Sequence, residues 1–149
     1  MENIFSIGFT KKSANSFFEL LIKNNVNKVV DVRLNNTSQL AGFSKGDDLK
    51  YFLKKIADID YVYEFIFAPT KEILDSYKKG LIDWNDYEKR YVKLMEDRKV
   101  KDYIIIKGEN YWKSSCLLCS EEKADNCHRR LAINEILKVF PNLVPVHII

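Results

Sequence analysis

Short apolar runs alternate with segments of helical periodicity along most of the chain. A continuous run of four to eight apolar residues next to a turn signal is typical of a buried strand. The β-branched character of "VNKVVDVR" favours a sheet that is covered on both faces. Five runs predict strands: "NIFSIGF", "VNKVVDVR", "DYVYEFIFAP", "SSCLLC" and "VPVHII".

Helix start signals stand between these runs. Ser13, Thr70 and Asp83 each precede a segment of helical periodicity and predict N-caps. Ser44 with Asp47 resembles a capping box, with Asp in the place of Glu. One segment, "DYIIIKGENYWKS", fits either a strand or the end of a helix.

The pattern predicts an α/β fold with a single domain over residues 1–149. A last helix is expected from about Cys127 to Val139. Alternating strands and helices imply parallel pairing, so we expect an open, mostly parallel sheet of about five strands with helices on both faces. Ligands of such folds bind outside the carboxyl ends of the strands. These ends are expected at residues 8–10, 33–35, 69–70 and 119–121.

Composition narrows the class of protein. The 149 residues are 46% hydrophobic and 13% aromatic, which is typical of a folded domain and excludes a disordered chain. A net charge of +3 does not by itself indicate a nucleic-acid binder. We find neither a signal peptide nor an apolar run of about 20 residues, so we expect a cytoplasmic protein that does not enter a membrane. In the cytoplasm, cysteines are expected to be free thiols or metal ligands rather than disulfides.

All three cysteines lie in "CLLCSEEKADNCHRR", and a metal site is the first hypothesis for them. Cys116, Cys119, Cys127 and His128 would provide the four ligands of a zinc ion. However, residues three apart on a strand point to opposite faces, which separates Cys116 from Cys119. Cys127 and His128 would also diverge by about 100 degrees at helical spacing. We therefore predict no metal and no cofactor.

Thiol chemistry is the second hypothesis for this segment. Cys119 would end a strand and Cys127 would open a helix, where the helix dipole and the nearby Arg129 favour a thiolate. A redox pair of Cys119 with Cys127 is sterically feasible across the loop. The alternative is that each cysteine is a small buried hydrophobic residue.

Anion binding is the third hypothesis. Arg129 lies in the first turn of the last helix, where free backbone N–H groups and an arginine form a phosphate site. It would otherwise pair with acidic residues of the loop before it. Asp31 and Arg33 point to the same side of their strand, so Asp31 would orient the guanidinium towards the crevice. A purely structural Asp31–Arg33 ion pair is the alternative.

Several segments together resemble one protein family. They are "SIGFTKKSANSFFELL", "VVDVR", "FAPTKEILDSYKKGLIDWNDYEKRY" and "LLCSEEKADNCHRRLA", and they resemble the domain of unknown function 488 (DUF 488) family over nearly the whole chain. That resemblance implies a small cytoplasmic α/β domain without a settled activity. Cys116 lies outside the family pattern, and the loop "LNNTSQLAG" departs from it. The characteristic positions would be Gly8, Asp31, Arg33, Cys119, Glu121, Cys127, His128 and Arg129.

The layout also has a looser similarity to rhodanese-type sulfurtransferases. These enzymes carry a "DVR"-like strand, a cysteine after a later strand, and an arginine at a helix start. The loop between Cys119 and Arg129 is longer than their compact anion cradle. The similarity is therefore one of layout and not of membership.

Three functions follow from these residues. The first is an enzyme that binds an anionic, phosphate-bearing ligand such as a nucleotide or a nucleic-acid end, with Glu121 or His128 as acid or base. The second is a thiol-based catalyst of sulfur transfer or redox chemistry that uses Cys119 or Cys127. The third is a non-catalytic module that binds nucleic acid or phosphate. The expected ligand-binding residues are Gly8, Thr10, Asp31, Arg33 and Arg129.

Overall fold

A computed structural model of the chain describes residues 2–37, 42–120 and 125–149. Five strands form one sheet in the order β3-β2-β4-β1-β5, and every neighbouring pair is parallel. The predicted α/β fold class and the parallel sheet are confirmed. The strands are β1 (Asn3–Gly8), β2 (Lys28–Asp31), β3 (Asp60–Tyr63), β4 (Ser115–Cys119) and β5 (Val144–His147).

Seven α-helices lie within these described ranges. A π-helical turn, Leu53–Ala57, directly continues the second helix. None of the helices in residues 2–37, 42–120 and 125–149 has the length and apolarity that crossing a membrane requires. The helices are α1 (Ala14–Lys23), α2 (Gly46–Phe52), α3 (Lys71–Lys78), α4 (Trp84–Asp97), α5 (Val100–Lys107), α6 (Glu109–Trp112) and α7 (His128–Val139).

Local capping explains where three of these helices begin. The side chains of Ser13, Thr70 and Asp83 each accept a hydrogen bond from a backbone N–H three residues on, as predicted. The capping box expected at Ser44 is wrong. The N-cap of α2 is Lys45, which makes no capping hydrogen bond through its side chain, and Ser44 ends a short 3₁₀ turn.

One segment differs from the secondary structure predicted from the sequence, and another is assigned where the sequence left two alternatives. The strand predicted to run to Pro69 ends at Tyr63, and a 3₁₀ turn, Phe65–Phe67, follows it. The segment that fitted either a strand or a helix is helical and forms α5 and α6. The sheet therefore gains no strand between β3 and β4.

Both faces of the sheet are covered by hydrophobic cores. One core packs α3, α4, α5, α6 and α7 against the face that includes Leu117. The other packs α1, α2 and the π-helical turn against the face that includes Cys116 and Leu118. Alternate residues of β4 thus enter opposite cores, and all five residues of the strand are buried.

The order of the strands creates a crevice at one point of the sheet. After β2 the chain continues to β3 at one edge, whereas after β4 it continues through α7 to β5 at the opposite edge. Neighbouring strands whose connections leave in opposite directions open a ligand-binding crevice at their carboxyl ends. This places Arg33, two residues beyond β2, opposite Cys119, the last residue of β4.

Replacing Leu117 by alanine tests the assignment of β4 as the centre of the fold. Leu117 is fully buried, so Leu117→Ala should lower the free energy of unfolding by about 2–5 kcal/mol in urea denaturation. Leu81 is 74% exposed and provides a matched control, whose alanine variant should change stability by less than about 0.5 kcal/mol. Equal effects of the two substitutions would contradict the fold.

Candidate functional site

A cavity of about 310 Å³ lies outside the carboxyl ends of β2 and β4, in the crevice that the topology predicts. Arg33, Cys119 and His128 contribute its polar end, together with Cys127. Helices α3 and α4 contribute a largely aromatic wall. The remaining lining residues are Phe9, Leu34, Asn35, Pro69, Leu74, Tyr77, Lys78, Trp84, Tyr87, Ser120 and Asn126.

Cys119 and His128 are in direct contact at this polar end. The Sγ atom of Cys119 lies 3.5 Å from Nδ1 of His128. Nε2 of His128 lies 2.7 Å from the carbonyl oxygen of Val32, which can only accept, so Nε2 carries a proton. This bond joins the first residue of α7 to the chain that leaves β2, and it directs Nδ1 towards the sulfur.

Cys127 lies in the same cluster. The ligand atoms of Cys119, Cys127 and His128 are all within 4.8 Å of one another. The expectation that Cys127 and His128 diverge at helical spacing is wrong. Cys127 is the N-cap of α7 and has an extended backbone (φ −133°, ψ 139°), so the helical angle between neighbouring side chains does not apply to it.

The surroundings of Cys119 and Cys127 shift the pKa values of the two thiols in opposite directions. A hydrogen bond from Cys127 is the largest influence that lowers the pKa of Cys119 well below that of a free thiol, and the charge and proton of His128 act in the same direction. Burial opposes these effects. Burial also raises the pKa of Cys127, and the negative charge of Cys119 adds to this. Of the two cysteines, Cys119 therefore has the lower pKa and is the one whose surroundings favour the thiolate form.

His128 completes an ion pair with that thiolate. Although burial favours the neutral ring, the negative charge of Cys119 raises the pKa of His128 above 6.5. Thiolate and imidazolium therefore stabilise each other between the lowered pKa of Cys119 and the raised pKa of His128. This stabilisation is lost when the pH falls through the first value or rises through the second.

Arg33 forms a buried ion pair with Asp31. Its Nε and Nη2 atoms each donate to a carboxylate oxygen of Asp31 at 2.8 Å, and Nη2 also donates to the carbonyl oxygen of Ser44. Tyr61 donates its hydroxyl proton to the same carboxylate. Within the described residues the other terminal nitrogen, Nη1, has no hydrogen-bond partner. The guanidinium thus lines the cavity in an orientation that Asp31 fixes.

The side chain of Arg129 points to Ser6 of β1 and not into the cavity. It is fully buried, and its Nε donates to Oγ of Ser6 at 3.1 Å. Ser6 in turn lies 2.6 Å from Nδ1 of His147 on β5. Arg129 is not among the residues that line the cavity.

The remaining predicted site residues lie at the edge of the site. Gly8 is the partner of Cys119 in the register of β1 with β4. The backbone N–H of Thr10 donates to the carbonyl oxygen of Ser120, and its hydroxyl bonds to the same atom. Neither residue lines the cavity. Glu121 lies outside the described residues.

A family model described as a domain of unknown function, DUF488, matches residues 13–136. The chain belongs to the DUF488 family. The resemblance drawn from the sequence is therefore confirmed. No curated protein and no solved structure matches the chain. The match runs from the N-cap of α1 into α7, so it includes Arg33, Cys119, Cys127 and His128.

The cysteines and histidine of this DUF488 chain offer soft ligands that could hold a metal. A tetrahedral zinc ion separates a thiolate sulfur and an imidazole nitrogen by about 3.5 Å, which is close to the Cys119–His128 contact. Within the part of the chain that the structure describes, no fourth His, Cys or carboxylate joins the group. Cys116 lies in the core on the opposite face of the sheet, as strand alternation predicted.

The aromatic wall is not among the site residues predicted from the sequence. Trp84 and Tyr87 keep helical spacing, which is typical of packing, and Tyr87 is buried, but both residues also line the cavity. The rings of Trp84 and Tyr87 stack with centroids 4.8 Å apart, and Tyr77 packs against both. Periodicity alone shows that these residues share a face, and it does not show that the face extends past the end of the sheet.

The two histidines provide a test of this site in the DUF488 chain, since no others occur. His128 should titrate above 6.5 because Cys119 stabilises its charge. His147 should titrate below 6.5, because burial and the charges of Arg129 and Arg130 oppose protonation. Imidazole NMR signals followed against pH measure both values. The His147→Asn variant assigns the signals, and two titrations near 6.5 would contradict the described environments.

Proposed function

We propose that this DUF488 protein is a thiol-dependent group-transfer enzyme that acts on a small anionic substrate. Cys119 is the nucleophile, His128 is its proton donor and Arg33 attracts the anionic part of the substrate. The observation that carries the proposal is the 3.5 Å contact of Cys119 Sγ with His128 Nδ1 at the polar end of the cavity.

The position of Cys119 supports its role as nucleophile. A thiolate, and not a thiol, attacks electrophiles, and cationic neighbours keep a cysteine in that form near neutral pH. Cys119 has such a neighbour in His128, and it lies at the end of a strand where it lines the cavity. Cys116 has neither property, since it is buried in the core and burial raises its pKa.

His128 is suited to transfer one proton at a defined atom. Its Nε2 proton is held by Val32, so the proton that can move is the one on Nδ1. When the Cys119 sulfur forms a bond to the transferred group, the bond between that group and the leaving group breaks. The leaving group takes the electron pair, and the imidazolium supplies its proton.

Arg33 is the cation that favours an anionic substrate. It is 4% exposed, and its charge acts where little water screens it. A phosphate site formed by Arg33 and Arg129 together is supported less well, because Arg129 donates to Ser6 and does not line the cavity. We therefore favour thiol chemistry over a phosphate-bearing ligand, and we retain simple anion binding as an outcome of the tests.

The pH dependence of alkylation tests the nucleophile. The rate at which Cys119 reacts with iodoacetamide should rise much less steeply from pH 6 to pH 8 than that of a free thiol, because its pKa is lowered well below the free value. An ordinary cysteine would gain about tenfold per pH unit over this range. Mass spectrometry of tryptic peptides after timed alkylation measures the rate for each cysteine.

Two variants sharpen this experiment. His128→Asn removes the imidazolium and should slow alkylation of Cys119 at pH 6 by about tenfold or more. Cys116→Ala, which changes a thiol in the opposite core, should leave the profile of Cys119 unaltered. The proposal fails if Cys119 follows an ordinary thiol profile, or if the purified protein contains stoichiometric zinc whose removal unfolds it.

The charge of the alkylating reagent tests Arg33. The ratio of the iodoacetate rate to the iodoacetamide rate should be higher for Cys119 than for glutathione. In the double variant Asp31→Asn/Arg33→Met this ratio should fall about tenfold. Both residues are changed because an unpaired Asp31 in this buried site would destabilise the fold by about 3–5 kcal/mol. Lys78 is an exposed cation of the cavity lining, and Lys78→Met should change the ratio less than about twofold. An unchanged ratio in the double variant would exclude Arg33 from substrate binding.

A further inference from the structure

We infer that Cys127 is the resolving thiol of Cys119, and that the cavity reduces small anionic disulfides. The inference rests on the proposed role of Cys119 as nucleophile. It adds a second thiol, a substrate class and a product, the Cys119–Cys127 disulfide. The carrying observation is that the two sulfur atoms lie within 4.8 Å of each other at one end of the cavity.

The two cysteines are held next to each other by different elements. Cys119 is the last residue of β4, and Cys127 is the N-cap residue immediately before α7. A disulfide requires its two sulfur atoms at about 2.05 Å, so the pair must approach by less than about 3 Å, which side-chain rotation and a small shift of the cap can supply. Cys116, in the core on the opposite face, is not part of this cluster.

The contacts of the pair assign different roles to its members. Cys119 touches His128 and is the thiolate, so it attacks first. Burial and the negative charge of Cys119 raise the pKa of Cys127, so it remains a thiol beside Cys119 until Cys119 has reacted. This order prevents both thiols from being consumed by separate substrate molecules.

The first step forms a mixed disulfide. The Cys119 thiolate attacks one sulfur of a substrate R–S–S–R, a Cys119–S–S–R bond forms, and the substrate S–S bond breaks. The departing R–S⁻ takes the bonding electron pair and receives the Nδ1 proton of His128. His128 is then neutral, and the products are R–SH and the mixed disulfide.

The second step releases the other half of the substrate. Neutral His128 takes the proton of Cys127, and the resulting thiolate attacks Cys119 in the mixed disulfide. A Cys119–Cys127 bond forms, and the second R–S⁻ leaves with the electron pair. The substrate has gained two electrons and the protein has lost two. Regeneration needs a dithiol reductant, which becomes a disulfide in turn.

The cavity favours one class of disulfide. Arg33 supplies a positive charge beside the reacting sulfur, which suits a substrate with an anionic group. The wall formed by Leu74, Tyr77 and Trp84 is apolar and suits an organic body of moderate size. An anionic organic disulfide combines both features.

The reagent dithiobis(nitrobenzoate) is such a disulfide, since it joins two aromatic carboxylates through sulfur, and its thiol product is coloured. The full chain in metal-free buffer, mixed with a small excess of reagent, should release about two equivalents of product per chain. The protein should carry no aryl adduct and should lose the mass of two hydrogen atoms. Peptide mapping without reduction should find Cys119 joined to Cys127.

A substitution of Cys127 separates resolution from nucleophilic attack. Cys127→Ser should release about one equivalent and retain the aryl group on Cys119, because the second thiol is missing. Serine is a favoured N-cap residue, so this variant should preserve the start of α7. Cys127→Ala provides a second form of the same test. Cys116→Ala is the matched control and should behave as the unaltered chain does.

The outcomes distinguish this inference from the proposed function. A stable aryl adduct on Cys119 in the unaltered chain, with one equivalent released, would overturn the inference and leave Cys119 as the nucleophile. A disulfide to Cys116, or release that is equal with and without Cys127, would also overturn it. The Cys119–Cys127 disulfide could form although the alkylation rate of Cys119 depends on pH as that of an ordinary thiol does. That result would support the inference and contradict the proposal that Cys119 has a lowered pKa.

Discussion

The hydrogen bond from Nε2 of His128 to the carbonyl oxygen of Val32 determines the chemistry of this site. The bond is 2.7 Å long and joins residues 96 positions apart in the chain. It fixes one ring nitrogen as a donor to the backbone and leaves Nδ1 for Cys119. Without it, no hydrogen bond to the backbone would fix which nitrogen of the His128 ring faces the sulfur of Cys119.

Buried charges at this end of the sheet are compensated in pairs. Asp31 pairs with Arg33 through two hydrogen bonds that leave Nη1 unpaired within the described residues, and His128 pairs with Cys119. Each pair brings a buried charged group to the cavity, and an unpaired charge at the same depth would cost several kcal/mol. The arrangement gives the cavity a nucleophile and a cation while the fold stays stable. Cys116 shows the contrasting case, because it has an apolar environment and remains a thiol.

A second polar network, formed by Arg129, Ser6 and His147, lies on the β1–β5 side of the sheet and has a structural role. Arg129 donates to Ser6, and Ser6 contacts His147, so this arginine connects the start of α7 to the other half of the sheet. His128 and Arg129 are neighbours in sequence but face different surroundings. The first points towards the crevice between β2 and β4, and the second points towards β1. One turn of helix thus contributes to the cavity and anchors itself in the sheet.

The sequence alone determined the features that depend on near neighbours. The five strands, the caps at Ser13, Thr70 and Asp83, and the separation of Cys116 from Cys119 all follow from periodicity and short-range hydrogen bonds. The tertiary structure decided that Cys127 meets Cys119, that Arg129 turns to Ser6 and that the wall of α4 reaches the cavity. The reason is that these contacts join elements far apart in the chain, and their geometry depends on strand order and on the packing of α7 against the sheet.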